Sequence, residues 1–346
     1  MSEVIRRNCG TVELDKTYLR DPAIRKRRIE IETASLLQTR IGPFVERPVI
    51  TIPVVCHIVY NTPEQNISNL QIASQIKVLN QDFRMLNTDI DNIPEPFKHL
   101  AADARIEFRL ARRDPDGNET NGITRTASDQ SFSLSNDYVK FSNKGGKDAW
   151  DPSSYLNIWV CDLIGRTLGY AFRPGMAPDE ARDGVVIGYK YFGTQGTAVD
   201  HFNKGRTATH EVGHYLDLYH IWGPEDPDEG NCSGSDNVQD TPNQLTANYG
   251  DPDFPNISCN NGPNGDMFMN FMDYVYDESM YMFTYGQIRK MDAAINGPRY
   301  SLQTSNALTL PRTARSMLLK RLEPETDGSK LLFNGAEYVE ASKLFP

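Results

Sequence analysis

The chain is short of positive charge, of long apolar runs and of histidine. Lysine and arginine number 36 against 46 aspartates and glutamates, a formal net charge of −10. That balance argues against a nucleic-acid partner, because phosphate binding needs clustered lysine and arginine. It modestly favours cationic substrates, although most such charge simply solvates a surface. No stretch approaches the roughly 20 apolar residues of a membrane-spanning helix. The 346 residues, 39% hydrophobic, therefore read as a soluble protein of one large domain or two moderate ones. The N-terminus, M-S-E-V-I-R-R-N-C-G, lacks the apolar segment of a signal peptide. The five cysteines (Cys9, Cys56, Cys161, Cys232 and Cys259) are an odd number, so at least one has no intrachain partner.

Of only six histidines, three fall within residues 210–220, H-E-V-G-H-Y-L-D-L-Y-H. His210 and His214 are four apart, so a helix stacks both imidazoles on one face. Two neutral imidazoles so placed can grip one zinc ion. Glu211, beside the first, is close enough to reach a water polarised by that ion. His220 supplies a third nitrogen if the chain turns back after the helix. Three protein ligands leave one position open, the mark of a catalytic rather than a structural site. Taking residues as independent, chance would produce this pattern in roughly 1 in 10⁴ chains of this length, so a merely histidine-bearing helix is the weaker reading.

Around this motif the chain alternates strands and helices. V-I-T-I-P-V-V-C-H-I-V-Y at 49–60 is a β-branched run and reads as a buried strand. Residues 68–86 read as a helix capped by Ser68, with Leu70, Ile72, Ile76, Leu79 and Phe83 on its apolar side. Further strands are expected at 105–111, 155–163, 168–172 and 184–191, a turn at 114–118, and the metal-site helix at 204–219. Residues 223–266 are crowded with Asp, Asn, Gly and Pro and offer no periodic face. So long a loop needs a staple; Cys232 and Cys259 bracket part of it and can supply one as a disulfide, two free thiols being the alternative. A helix follows at 284–296, stopped by Gly297-Pro298. Residues 1–47, charge-dense with R-K-R-R at 25–28, read as a separate segment with local helix rather than a core element. Residues 301–346 read as a tail.

The motif H-E-V-G-H-Y-L-D-L-Y-H, N-F-M-D-Y at 270–274 and the pair Cys9-Gly10 together resemble the metzincin metallopeptidases, and within them the ulilysin-like pappalysins. The resemblance spans roughly residues 9–296. It implies an α+β zincin: a mixed twisted sheet over two long helices, with a loop-rich C-terminal subdomain and a cleft between the halves. It divides the chain into a pro-segment (1–47), a catalytic domain (48–300, split at 220/221) and the tail (301–346). Met272 becomes the methionine of a turn beneath the three histidines, where the bare residues would be soft core filler. Tyr274 would place its phenol near the metal and hydrogen-bond the developing oxyanion. Residues Gly169, Tyr170 and Ala171 match the rim strand that pairs with an extended substrate.

The resemblance also implies specificity and latency. Asp277 stands where such enzymes carry an acid at the floor of the pocket after the cut, selecting Arg or Lys there. Cys9 would occupy the open zinc position in a latent zymogen. Self-cleavage would then fall before Arg40 or Arg47, with Arg40 favoured because Pro48 follows Arg47. The S-D-N-V-Q-D-T-P stretch offers Asp236, Asp240 and Thr241 to calcium. One residue departs from the family pattern: Asp217 stands where glycine is usual. Aspartate tolerates the left-handed backbone better than most residues, so His220 is kept as a ligand.

The expected function is thus a zinc endopeptidase acting on protein or peptide substrates containing Arg or Lys. A disulfide favours an extracellular location, the missing leader argues against it. Two other readings stay open. One is a catalytically silent zinc-holding interaction domain; the other is a thermolysin-like site in which His220 is dispensable.

Overall fold

The computed structural model describes residues 6–41, 47–311, 331–333 and 338–340. Helices α1 (Thr11–Tyr18) and α2 (Pro22–Ile41) come first, then β1 (Ile50–Tyr60), α3 (Asn69–Phe83) and a single helical turn, α4 (Glu95–Lys98). Strands β2 (Ile106–Leu110), β3 (Ile123–Ala127), β4 (Leu156–Cys161), β5 (Gly169–Ala171) and β6 (Val185–Gly188) follow. Helix α5 (Arg206–Tyr215), short strands β7 (Tyr249–Gly250) and β8 (Tyr274–Val275), and α6 (Tyr285–Asn296) complete the body. Beyond it, Leu331–Phe333 and Tyr338–Glu340 pair antiparallel.

The β-branched run at 50–60 becomes the centre of a six-stranded sheet ordered β2-β1-β4-β6-β5. One half of β1 pairs with β2 and the other half with β3, both parallel. Strands β4 and β6 continue the parallel order. Strand β5 alone runs antiparallel, at the sheet's edge. That edge is the one that matters for function, since pairing with β6 leaves its outer backbone groups to another segment of chain, here residues 8–11.

Helices α3 and α5 pack on the sheet through Ile72, Leu79, Phe83, Ala208 and Val212. Ser68 caps α3 as its sequence predicts, accepting from Gln71 N. Leu70 is not on the apolar face: it is 71% exposed, because the helix turns it away from Ile72 and Leu79. Helix α5 is shorter than its periodicity suggests. Leu218 N bonds back to Gly213 O, and Asp217 takes φ 77°, so the chain reverses after Tyr215. Strand β6 likewise stops at Gly188, and β3 carries no alternation strong enough to be read from sequence.

The N-terminal segment is more embedded than its charge suggests. Leu14 and Ile24 are 5% exposed and join a core with Trp159, Tyr170 and Phe172. Its apolar residues are sparse, and the helices turn Leu14 and Ile24 inward while Ile29 and Leu37 stay exposed. At the other end, Leu302 and Ala307 are buried, so packing continues past residue 300.

The loop at 223–266 is stapled by a Cys232–Cys259 disulfide with a sequence separation of 27. In the chain-entropy account, closing a loop of that size stabilises the fold by about 3.5 kcal/mol. The C232S/C259S double variant is expected to lose stability on that scale, read as a fall in urea midpoint with a slope that holds or rises as the unfolded chain expands. An unchanged midpoint would show that packing alone holds the loop.

Candidate active site

Helix α5 is buried along its whole length, so its histidines are fixed by packing before any ligand binds. His210 Nδ1 donates to Phe271 O and His214 Nδ1 to Leu218 O, each at 2.8 Å. Both Nε2 atoms are then lone-pair acceptors. The reversal at Asp217 brings His220 beside them, with Nε2 atoms 3.2, 3.0 and 3.2 Å apart around the triangle. Acceptors that face one another at this distance need a cation between them. A tetrahedral zinc with Zn–N bonds of about 2.0–2.1 Å sets its nitrogens roughly 3.3 Å apart, so the donor set fits. Burial also favours neutral rings: it lowers His210 and His220 well below the ordinary value and His214 to about 3. His220 stacks on Trp222, with ring centroids 4.4 Å apart.

Cys9 meets the same triangle. Its sulfur and the three imidazole nitrogens all lie within 4.8 Å of one another. The thiol donates to Glu211 Oε2 at 3.3 Å, and Thr11 Oγ1 donates to the same oxygen at 3.3 Å. Desolvation pushes the Cys9 thiol well up, and Glu211, equally buried, up to about 8. A divalent cation in the triangle opposes both shifts by favouring the anionic forms. Tyr274, on β8, accepts from Cys9 N at 3.1 Å and donates to Cys9 O at 3.3 Å.

Met272 lies against the underside of α5. A Cβ added to Gly213 would stand 2.5 Å from Met272 Sδ, so only glycine leaves room for the sulfur between the two helical histidines. Gly169 performs a similar service on the rim, where an added Cβ would meet Val186 O at 2.9 Å and Glu211 Cγ at 3.0 Å.

Along the edge of β5 the N-terminal segment lies parallel to the strand. Leu168 N donates to Asn8 O at 2.8 Å, Gly10 N to Gly169 O at 2.9 Å, and Ala171 N to Thr11 Oγ1 at 3.0 Å. Tyr170 is fully buried beneath, with its phenol on Asp137. On the other side of the triangle, Asp277 is completely buried. It pairs with Arg7 at 2.6 Å and accepts from Lys204 N and Arg206 N at 2.9 and 3.2 Å.

Arg7 and Thr11 belong to the site although no motif in the sequence marks them. Arg7 could have been found by asking which basic residue near Cys9 would match an acid such as Asp277; it lies two positions before the cysteine. Thr11 carries no signal of its own. The proposed calcium trio is only partly assembled. Thr241 Oγ1 bonds both Asp236 oxygens at 2.9 Å, while Asp240 turns to the start of α6, accepting from Thr284 Oγ1 and Gly286 N at 2.7 Å.

Residues 140–296 match the family described as pregnancy-associated plasma protein-A. Mature mirolysin of Tannerella forsythia, solved with a cleaved peptide, is 53% identical at a TM-score of 0.74, covering 77% of this chain and 100% of that one. A point mutant of Tannerella forsythia promirolysin is 48% identical at a TM-score of 0.81, covering 88% of this chain and 100% of that one. An extracellular metalloprotease of Arthroderma gypseum is 28% identical over 247 residues, 70% of this chain and 71% of its own length. Two histidines on a buried helix and a third beyond its reversal, beside the edge strand of a mixed twisted sheet, are the architecture of the metzincin zinc metalloendopeptidases. Within that class the chain belongs to the pappalysin family, as a mirolysin-like and ulilysin-like member.

Proposed function

We propose that the chain is the latent form of an endopeptidase that cuts before Arg or Lys, with residues 1–39 as its removable pro-segment. The observation that carries this reading is the route of the N-terminal segment. It lays Arg7 on Asp277, Cys9 on the histidine triangle and Thr11 on Glu211, so one stretch of chain covers every group the reaction needs.

His210, His214 and His220 are the residues that would hold zinc. Zinc, when bound, polarises the peptide carbonyl and makes a water acidic enough to lose a proton near neutral pH. Glu211 Oε2 takes that proton and passes it to the leaving amine. The Tyr274 phenol donates to the oxygen that gains negative charge, in the place where it now donates to Cys9 O. The edge of β5 at Gly169–Ala171 holds the substrate backbone, and Met272 supports the histidines from below. Asp277 binds the basic side chain after the cut, as it now binds Arg7. In the latent state, the Cys9 sulfur would complete the donor set with the three histidines.

Maturation before Arg40 follows from the same specificity. Arg40 is the penultimate residue of α2, and residues 42–46 of the expected linker lie outside the described residues. The alternative before Arg47 meets an obstacle besides Pro48, since Arg47 is paired with Asp292 at 2.6 Å. Calcium belongs to the same proposal, supported by Asp236, whose carboxylate burial pushes up to about 7 and a hard cation would favour in its charged form. Export is supported by the relatives named as extracellular metalloproteases.

The test is Asp277→Ala. A peptide with Arg after the cleaved bond should lose at least about 100-fold in kcat/KM, the scale of one buried charge-assisted pair. A peptide with Leu there should change little. Equal losses on both would remove Asp277 from the specificity pocket.

A further inference from the structure

We infer that the cleft carries an anion-binding subsite upstream of the cleaved bond, formed by Arg173 and Lys290 around the Tyr219 ring, which takes an acidic side chain of the substrate. The inference deepens the peptidase reading above and rests on it.

Three ion pairs join the N-terminal segment to the body on this side. Asp15 holds Arg173 at 2.7 Å, Glu32 holds Lys290 at 3.1 Å, and Arg28 holds Asp217 at 2.6 Å. Both cations of the body converge on one ring: Arg173 Cζ lies 3.8 Å and Lys290 Nζ 4.5 Å from the Tyr219 centroid. Each side chain of the two is only 2% exposed. The buried Nη1 of Arg173 has no hydrogen-bond acceptor among the described residues. Processing before Arg40 would remove Asp15, Arg28 and Glu32 together. One net negative charge departs and one net positive charge remains on Arg173, Lys290 and Asp217. The body is then left with two clustered cations beside an aromatic face and an unused donor, which is an environment for a carboxylate.

The position of the subsite follows from the order of contacts. Arg7 sits on Asp277, Cys9 at the histidines and Asp15 on Arg173, so Arg173 and Asp277 lie on opposite sides of the metal position. A substrate with its basic residue on Asp277 therefore sends its upstream residues toward Arg173. Arg173 is four residues beyond Gly169 on the rim, about 13 Å of extended chain, the span of about four substrate residues. The acidic side chain accordingly belongs two to four residues before the bond that is cut.

The experiment uses the full chain, loaded with zinc and allowed to process, and a set of peptides with Arg after the scissile bond. A reference peptide carries Gln at each of the three upstream positions, and the others carry Glu or Lys at one of them. The Glu peptide is expected to exceed the reference by about 10-fold in kcat/KM, mostly through KM, and the Lys peptide to fall below it, at the best of the three positions. In R173Q and in K290Q the Glu-to-Gln ratio should collapse toward one. The ratio is measured within each variant, so partial loss of folded protein does not affect it. A flat ratio in the parent with the reference cut normally would mean that Asp217 takes over Arg173 once Arg28 has left, and would overturn the subsite alone. A ratio unchanged in both variants would overturn it as well. A reference peptide left uncut would bring down the peptidase reading and the subsite with it.

Discussion

Glu211→Ala is expected to lower kcat by about 10² to 10⁴-fold, the range for loss of a positioned general base, with one zinc still bound per chain. The separation of the two effects follows from the geometry. The three imidazoles are held by α5, by the reversal at Asp217 and by acceptors on Phe271 and Leu218, none of which involves Glu211. The carboxylate instead faces Cys9 and Thr11. Removing it takes away a buried group that desolvation already pushes up to about 8, so thermal stability should hold or rise. Metal analysis and single-turnover kinetics on the processed chain check both halves. Activity within tenfold of the parent would sink the proton-transfer role, and loss of zinc would show that Glu211 contributes to metal binding.

The metal triangle was legible because its chemistry is local. The spacing of His210 and His214 fixes their shared helical face, and a residue able to take positive φ between them and His220 fixes the return. Asp217 does take φ 77° in glycine's usual place, at a cost of around a kcal/mol. What composition could not foresee is its partner, Arg28, nearly two hundred residues earlier and inside a stretch that reads as a solvated charge run. The same blindness hid Arg7. Both arginines look like surface charge when taken in sequence and become specific only against a buried acid. The strands β1 and β4 were visible as largely apolar runs because both their faces are covered. Strand β3 was not, since its residues are half exposed and depend on β1 for their conformation. Leu70 shows the converse error, an apolar residue counted toward a face that the helix turns away.

Cys9→Ala should convert the latent chain into one that processes itself at least about 100-fold faster once zinc is supplied, a change of about 2.7 kcal/mol. Among the described residues of the N-terminal segment, Cys9 is the one whose side-chain donor atom joins the histidine triangle. Without its sulfur the fourth position opens to water, while Glu211 loses the thiol that now occupies Oε2. The segment should stay docked, because Arg7, Asp15, Arg28 and Glu32 keep their ion pairs on the body. The variant is therefore expected to be leaky rather than fully open, and adding Arg7→Ala should increase the leak by freeing Asp277 as well. Intact-mass measurement over time, with and without a chelator, follows the process. The expected product begins at Arg40, appears only when metal is present, and forms faster at higher protein concentration, since a segment lying parallel to the rim is poorly placed to be cut by its own site. A Cys9→Ala chain that stays whole and inert with its zinc bound would instead favour the reading in which the site holds metal without performing hydrolysis.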